Sequence, residues 1–363
     1  MMKPDIFLTG PDVGNLEKEY VLDALNNGWY KDKYKYIEKF EEVFARYHGR
    51  KYALMTCNCT SAIHLILAAL DIGPGDEVLM PDSTWISTSL STVHLGAKPI
   101  FCDVNFNDWC ISTESIDINI SPKTKAIIAV DLYGNTPNWD KLKYYSETYK
   151  IPIIEDAAEA LGVSCNNKKV GSFGVASTFS FHNTKTITCG EGGILLLDDE
   201  NLYKKCVKFR DVGRGPDTKI FFNDIVGYKF IPSNIQAALI LAQFERLDEI
   251  LTIRRKQHSY YKERLGNNYI LNNDGAWCTV LLDKRVMMPK LRNFANKLEF
   301  STRPFFFPLS MLPAYKEFNT YKSKNKVAYN LHERGLIIPG ATNLTEGQLD
   351  FICTNILENT NAK

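Results

Sequence analysis

The stretch TFSFHNTKTITCGEGGILLL, Thr178 to Leu197, sets a single lysine between two apolar runs. Ala176 to Phe181 reads as a buried strand, and Ile194 to Leu197 as a second one. A polar turn, Lys185 and the run Gly190-Glu191-Gly192-Gly193 lie between them. Strand, turn, glycine-rich turn and strand together can hold a lysine inside a site instead of on the surface. Desolvation there favours the neutral amine, which is the nucleophilic form. An isolated lysine is ordinarily a solvated charge; the flanking strands and glycines argue against that reading for Lys185.

A second anchor lies upstream. IPIIEDAAEALG, Ile151 to Gly162, runs a buried strand out into Glu155-Asp156. A carboxylate at the C-terminal end of such a strand lies where open α/β sheets bind ligands. A plain strand-end acid is the alternative reading of Asp156. Tyr52 to Thr56, Val78 to Met80, Ile100 to Val104 and Ala126 to Leu132 read as further strands. Asn15 to Asn26, Tyr36 to His48, Ala62 to Leu70 and Trp139 to Thr148 read as helices. Thr60 and Ser61 occupy the expected N-cap of the third helix, where hydroxyls and free N–H groups form an anion site or simply cap the helix.

Alternation of strands and helices from about residue 50 to 200 predicts an α/β fold, with a mostly parallel central sheet sandwiched by helices. Ile235 to Leu265 reads as a long helical stretch of one or two helices. Beyond it, a strand (Trp277 to Leu282), a helix (Pro289 to Leu298) and an aromatic strand-loop (Ser301 to Pro308) predict a smaller C-terminal α+β domain. The expected division is 1–240, a large domain with an N-terminal helical segment, and 241–363, the small domain.

The 363 residues include 45% apolar and 23% charged residues, an ordinary globular balance. Formal net charge is +1, which gives no reason to expect nucleic acid or an anionic membrane as partner. No apolar run is long enough to span a bilayer, and MMKPDIFLTGP lacks the apolar core of a signal peptide. Nine scattered cysteines fit reduced thiols and a cytoplasmic location. Cys57-x-Cys59 has no second pair nearby, so no metal site is expected. No G-x-G-x-x-G opens an early βα unit, which argues against a Rossmann dehydrogenase.

Ser180 to Gly193, SFHNTKTITCGEGG, resembles the Schiff-base lysine segment of the DegT-like nucleotide-sugar aminotransferases, which are fold type I enzymes using pyridoxal 5'-phosphate (PLP). The family pattern is Ser-Phe, three residues, Lys, then Gly-Glu-Gly-Gly. The likeness extends from about Leu8 to Pro339. It implies that Lys185 is the catalytic lysine, that Asp156 faces the pyridinium nitrogen, and that Glu159 lies beside the ring. It places Trp85, in PDSTWIST, against the ring face, although Trp85 read alone is equally a core residue. It assigns the cofactor phosphate to Thr60, Ser61 and Ser180. GYKFIPSNIQAA, Gly227 to Ala238, implies that Lys229 reaches the phosphate of a second copy, hence a homodimer with shared active sites. Asp103 resembles the acid that ends a family strand. STRPFFFPL, Ser301 to Leu309, resembles the substrate segment of perosamine- and viosamine-type members. Arg303 would face glutamate's carboxylate or the sugar pyrophosphate; an interdomain ion pair is the competing reading.

The implied reaction moves the amino group of L-glutamate to C4 of a nucleoside-diphosphate 4-keto-6-deoxyhexose. The viosamine type would carry UDP or dTDP, and the perosamine type GDP. Amination at C3, or a non-catalytic PLP-binding regulatory protein, are the alternatives. A sister group of PLP-dependent dehydratases carries histidine at the lysine position, so Lys185 argues against dehydration. Lys33, Cys59, Lys229, Ile231 and Pro232 depart from the family pattern, which calls for glycine at 33 and 59, asparagine at 229, arginine at 231 and methionine at 232.

Overall fold

Seven short apolar runs assemble into one sheet in the computed structural model, which describes residues 6–215, 219, 221–223, 225–283, 297–318 and 325–361. The strands are β1 (Tyr52–Thr56), β2 (Glu77–Pro81), β3 (Lys98–Cys102), β4 (Thr124–Val130) and β5 (Ile153–Asp156). A small hairpin follows, β6 (Ser164–Cys165) and β7 (Lys168–Lys169), and then β8 (Ala176–Ser180) and β9 (Gly193–Leu197). The order across the sheet is β1-β9-β8-β5-β4-β2-β3. β9 runs antiparallel to both its neighbours, and every other pair is parallel. Parallel strands need a crossover, and the intervening helices supply it while covering both faces. Alternation along β1 and β9 divides their side chains between two cores. Leu54, Leu195 and Leu197 enter one; Ala53, Met55, Ile194 and Leu196 enter the other.

The helix Cys59–Ala69 is buried along nearly its whole length, because it packs against β1, β8 and β9 and the helix Glu200–Arg210. It begins three residues earlier than its apolar run predicts. Asn58 is the N-cap: its side-chain oxygen accepts the Ser61 N–H at 2.8 Å. Thr60 and Ser61 therefore belong to the first turn and do not cap it. β3 likewise closes at Cys102. Asp103 lies just beyond and accepts the N–H groups of Val327 and Ala328, at 3.1 and 2.9 Å, where the helix Lys326–Arg334 begins. Its carboxylate caps a helix and takes no part in the site.

The long C-terminal helical stretch is two helices, Asn234–Glu245 and Leu247–Leu265, with Arg246 between them. Beyond them β10 (Tyr269–Leu271), β11 (Thr279–Asp283), β12 (Arg303–Pro304) and β13 (Gly335–Ile338) form an antiparallel sheet ordered β10-β11-β13-β12. Helices Leu247–Leu265 and Glu346–Asn361 enclose a third core with it, including Tyr261, Leu281, Ile338 and Ile352. Only Arg303 and Pro304 of the expected aromatic strand-loop are in a strand. The expected helix at Pro289 to Leu298 lies largely outside the described residues.

Two carboxyls are buried side by side beneath the sheet ends. Glu155 accepts from the Gly171 N–H (2.8 Å), the Phe173 N–H (3.0 Å) and the Ser177 hydroxyl (2.6 Å), donors that oppose the rise burial imposes on its carboxyl. Burial first, and then the charge of Glu155, push the neighbouring Asp131 carboxyl well above its usual range. Asp131 is thus protonated in the fold but ionised in the unfolded chain above about pH 4. The unfolded state gains from that ionisation, so wild-type stability falls as pH rises through this window. Asp131→Asn should remove the loss, gaining up to about 1.4 kcal/mol on wild type per pH unit until Asp131 ionises in the fold. Urea midpoints at pH 5 and pH 8 check this; an equal difference at both would refute it.

Candidate active site

The C-terminal ends of β5 and β8 deliver the two anchors. β8 and β9 are joined by a loop closed at its base, where the Phe181 N–H donates to the Gly192 carbonyl at 2.8 Å and the Cys189 N–H to the Phe181 carbonyl at 3.1 Å. Within the loop the Thr188 hydroxyl donates to the Phe181 carbonyl (2.9 Å) and accepts the Gly190 N–H (2.9 Å). These bonds turn Lys185 inward: its side chain is 14% exposed. Nζ donates to Glu159 Oε1 at 3.3 Å and lies 4.1 Å from the centre of the Trp277 ring. A carboxylate and an aromatic face both stabilise an ammonium.

Asp156 ends β5, fully buried. Its Oδ2 accepts the Thr88 hydroxyl at 2.8 Å and its Oδ1 the Ala158 N–H at 3.3 Å. Burial raises its carboxyl above the usual range, against the lowering effect of Thr88, the Ala158 N–H and the charge of Lys185. Glu159 is raised by the same cause, and Lys185 opposes it most strongly. Its Oε2 accepts the Tyr133 N–H at 3.2 Å. Tyr133 stands at φ 54°, ψ 32°, the left-handed region rarely occupied by a residue with a side chain. Thr88, in the helix Ser87–His94, accepts in turn from the Thr84 hydroxyl (3.1 Å).

The helix Cys59–Ala69 points its N-terminus at the same place. The first N–H groups of a helix have no partner inside it, and its dipole favours an anion there. Gly193 lies against this turn so closely that a Cβ on it would collide with the backbone of Asn58 and Cys59. This packing accounts for the last glycine of the Gly-Glu-Gly-Gly run. Cys59, where the resemblance calls for glycine, is buried with its thiol pushed above the usual range by burial and then by Asp156. The Ser61 hydroxyl donates to Asn58 Oδ1 at 3.0 Å, Thr60 is half-buried, and Ser180 Oγ accepts the His182 N–H at 3.4 Å.

The remaining expected residues lie farther out. Trp85 is 59% exposed, with Phe306 the ring beside it at 6.0 Å. It is tied to the site through Thr88, whose N–H donates to the Trp85 carbonyl at 3.1 Å. Lys229 faces solvent and pairs with Asp211 at 2.6 Å. Arg303 is exposed on β12, and its charge reaches Tyr133 and Cys278. All nine cysteines are free thiols. Among the described residues no group of three or more His, Cys, Asp or Glu is placed to hold a metal, and no helix is long and apolar enough to cross a membrane. Thr88, Asn58 and Trp277 were not read from the sequence as site residues. Thr88 stands in the quoted PDSTWIST segment, but nothing in its spacing points it at Asp156.

The model of the DegT/DnrJ/EryC1/StrS aminotransferase family matches residues 11–357. The chain belongs to that family. The GDP-perosamine synthase of Escherichia coli O157:H7 is 36% identical over 356 residues, covering 96% of each chain. That of Vibrio cholerae is 33% identical over 356 residues, covering 95% of this chain and 96% of its own. Among solved structures, Helicobacter pylori PseC, an aminotransferase involved in the biosynthesis of pseudoaminic acid, superposes with a TM-score of 0.90 at 23% identity, covering 99% of this chain and 100% of its own. The protein is therefore a PLP-dependent aminotransferase with the fold of such enzymes. The residues present suit that cofactor. Asp156 is a buried carboxylate bonded to a hydroxyl and an N–H, and a protonated ring nitrogen would answer its charge. Lys185 is a buried amine, and a helix N-terminus with two adjacent hydroxyl residues suits a phosphate.

Proposed function

We propose that this aminotransferase transfers the amino group of L-glutamate to C4 of a GDP-linked 4-keto-6-deoxyhexose. Similarity to two GDP-perosamine synthases over 95% or more of this chain carries the reading of the substrate. Among the sugar types that the sequence resemblance implies, that similarity favours the GDP-linked perosamine type over the viosamine type and over amination at C3.

PLP, when bound, supplies an aldehyde for covalent attachment and a ring that withdraws electrons from the carbon losing its proton. The protein supplies the rest. Lys185 would hold the cofactor through its amine and, as the base and acid of the site, would move the proton of the donor's α-carbon. Asp156, oriented by Thr88, keeps the ring nitrogen protonated. Glu159 orients Lys185. Thr60, Ser61, Ser180 and the N-terminus of the helix Cys59–Ala69 hold the phosphate. Trp85 would cover the ring face, and Arg303 is the candidate for a substrate anion.

The reading includes a homodimer. Trp29, Tyr30, Phe221, Phe222 and Val226 are between 52% and 97% exposed, a set of apolar side chains that a second copy would cover. Lys229, facing outward, would serve that copy's phosphate. The two sheets support a division near residue 240, between a large cofactor-binding domain and a small C-terminal one.

The test uses the PLP-loaded protein with ¹⁵N-labelled L-glutamate and, separately, GDP-, dTDP- and UDP-linked 4-keto-6-deoxyhexoses. Mass spectrometry should find ¹⁵N in an amino sugar from the GDP substrate, with NMR placing it at C4. Labelling of a dTDP or UDP sugar instead would move the assignment to the viosamine type. No labelled sugar, with glutamate left intact, would favour the regulatory alternative.

A further inference from the structure

Two adjacent residues from outside the large sheet grip the lysine loop on both sides of Lys185. Trp277 Nε1 donates to the Thr184 carbonyl at 2.6 Å, and the Thr186 hydroxyl donates to the Ala276 carbonyl at 3.0 Å. Between these bonds the Trp277 ring faces Lys185 Nζ at 4.1 Å. The ring has little freedom. It is 5% exposed and stacks on Tyr133, with centroids 5.6 Å apart and planes 6° apart. Tyr133 stacks in turn on Phe306 at 5.2 Å and 10°. The same Tyr133 donates its N–H to Glu159 Oε2, while Glu159 Oε1 meets Lys185 Nζ. One residue thus fixes both the aromatic face and the carboxylate that contact the amine.

We propose that Trp277, with Glu159, forms a berth that holds the free Lys185 ammonium whenever its nitrogen is not bonded to the cofactor. The proposal rests on the role given above to Lys185. Trp277 is a positioning residue: it acts through the lysine. A lysine that must leave one bond, carry a proton and form that bond again has four rotatable carbons' worth of freedom. An aromatic face opposite a carboxylate confines the nitrogen while it is free, with the ring at 4.1 Å and Glu159 Oε1 at 3.3 Å. The Thr184 and Thr186 bonds hold the loop so that face and nitrogen stay in register.

The test begins with the cofactor-free wild-type protein, its lysines reductively methylated with ¹³C. Methylation keeps the positive charge, and Lys185→Arg assigns the signal by removing it. In the berth, the indole ring current should place the Lys185 methyl resonance upfield of the bulk lysines. Trp277→Met should return it to the bulk position, and Trp277→Phe should keep it upfield. In the loaded enzyme, Trp277→Met should lower kcat about 10-fold with the donor KM within about 2-fold, and Trp277→Phe should recover most of the rate. A Lys185 resonance at the bulk position in wild type, or one unmoved by Trp277→Met, overturns the proposal. The wild-type spectrum decides alone should the substitution prevent folding. It contains no cofactor, so its failure leaves the covalent role of Lys185 standing.

Discussion

Replacing Lys185 by alanine is expected to abolish turnover, by roughly 10⁴-fold or more, without unfolding the protein. The effect is large because one side chain has two duties, covalent attachment and proton transfer. Lys185 Nζ is also the only cation that contacts Glu159 among the described residues, at 3.3 Å. Loss of the lysine leaves that buried carboxyl without its ion pair, and burial then favours its neutral form. The carboxyl can therefore protonate, and the fold loses little. Steady-state kinetics and a thermal melt measure both consequences; transamination retained in Lys185→Ala would remove the lysine from the chemistry.

Asp156→Asn is expected to lower kcat by about 10³-fold while leaving the cofactor-free protein at least as stable as wild type. The amide keeps the shape and can still accept from Thr88, but it carries no charge to hold a proton on the ring nitrogen. The stability half has its own sign. Burial raises the Asp156 carboxyl, so the folded cofactor-free protein binds a proton more readily than the unfolded chain. Wild type therefore loses the contribution of Asp156 as pH rises above about 4, and the asparagine variant is spared that part of the loss. The variant should gain on wild type from pH 5 to pH 8 when both are unfolded without cofactor. A variant less stable than wild type at pH 8 would mean that Asp156 is chiefly a structural residue.

The sequence made these two residues legible for a physical reason. Asp156 ends β5, a short run buried on both faces, and Lys185 lies in the loop that follows β8, between its last residue Ser180 and the glycine-rich turn that leads into β9. Local pattern is enough to place such a residue at the sheet's C-terminal edge. The order of the sheet follows from the same runs, although β9 as an antiparallel strand between two parallel ones is a matter of topology that no period encodes. Helix starts were less legible. Asn58, Thr60 and Ser61 are all good caps, and the choice of Asn58 depends on the close approach of Gly193, which lies 135 positions away.

The contacts that orient the two anchors are tertiary throughout. Thr88 reaches Asp156 across 68 positions, and Trp277 reaches Thr184 across 93. A tryptophan at the start of a C-terminal strand reads as core from its own neighbourhood, and it is core; its second use appears only when the lysine loop is packed on it. Lys229 and Arg303 show the opposite limit. Both are exposed on this chain, with Lys229 paired to Asp211, so the roles proposed for them belong to a second copy or a substrate and not to contacts within this chain.

The covalent role of Lys185 has a direct test. The PLP-loaded protein is treated with borohydride, which fixes a lysine–cofactor bond as a stable secondary amine, then digested and mapped by mass spectrometry. The cofactor mass should appear on the peptide containing Lys185, and prior addition of L-glutamate should diminish it. Cofactor mass on a different lysine, or on none, would contradict the assignment of this site.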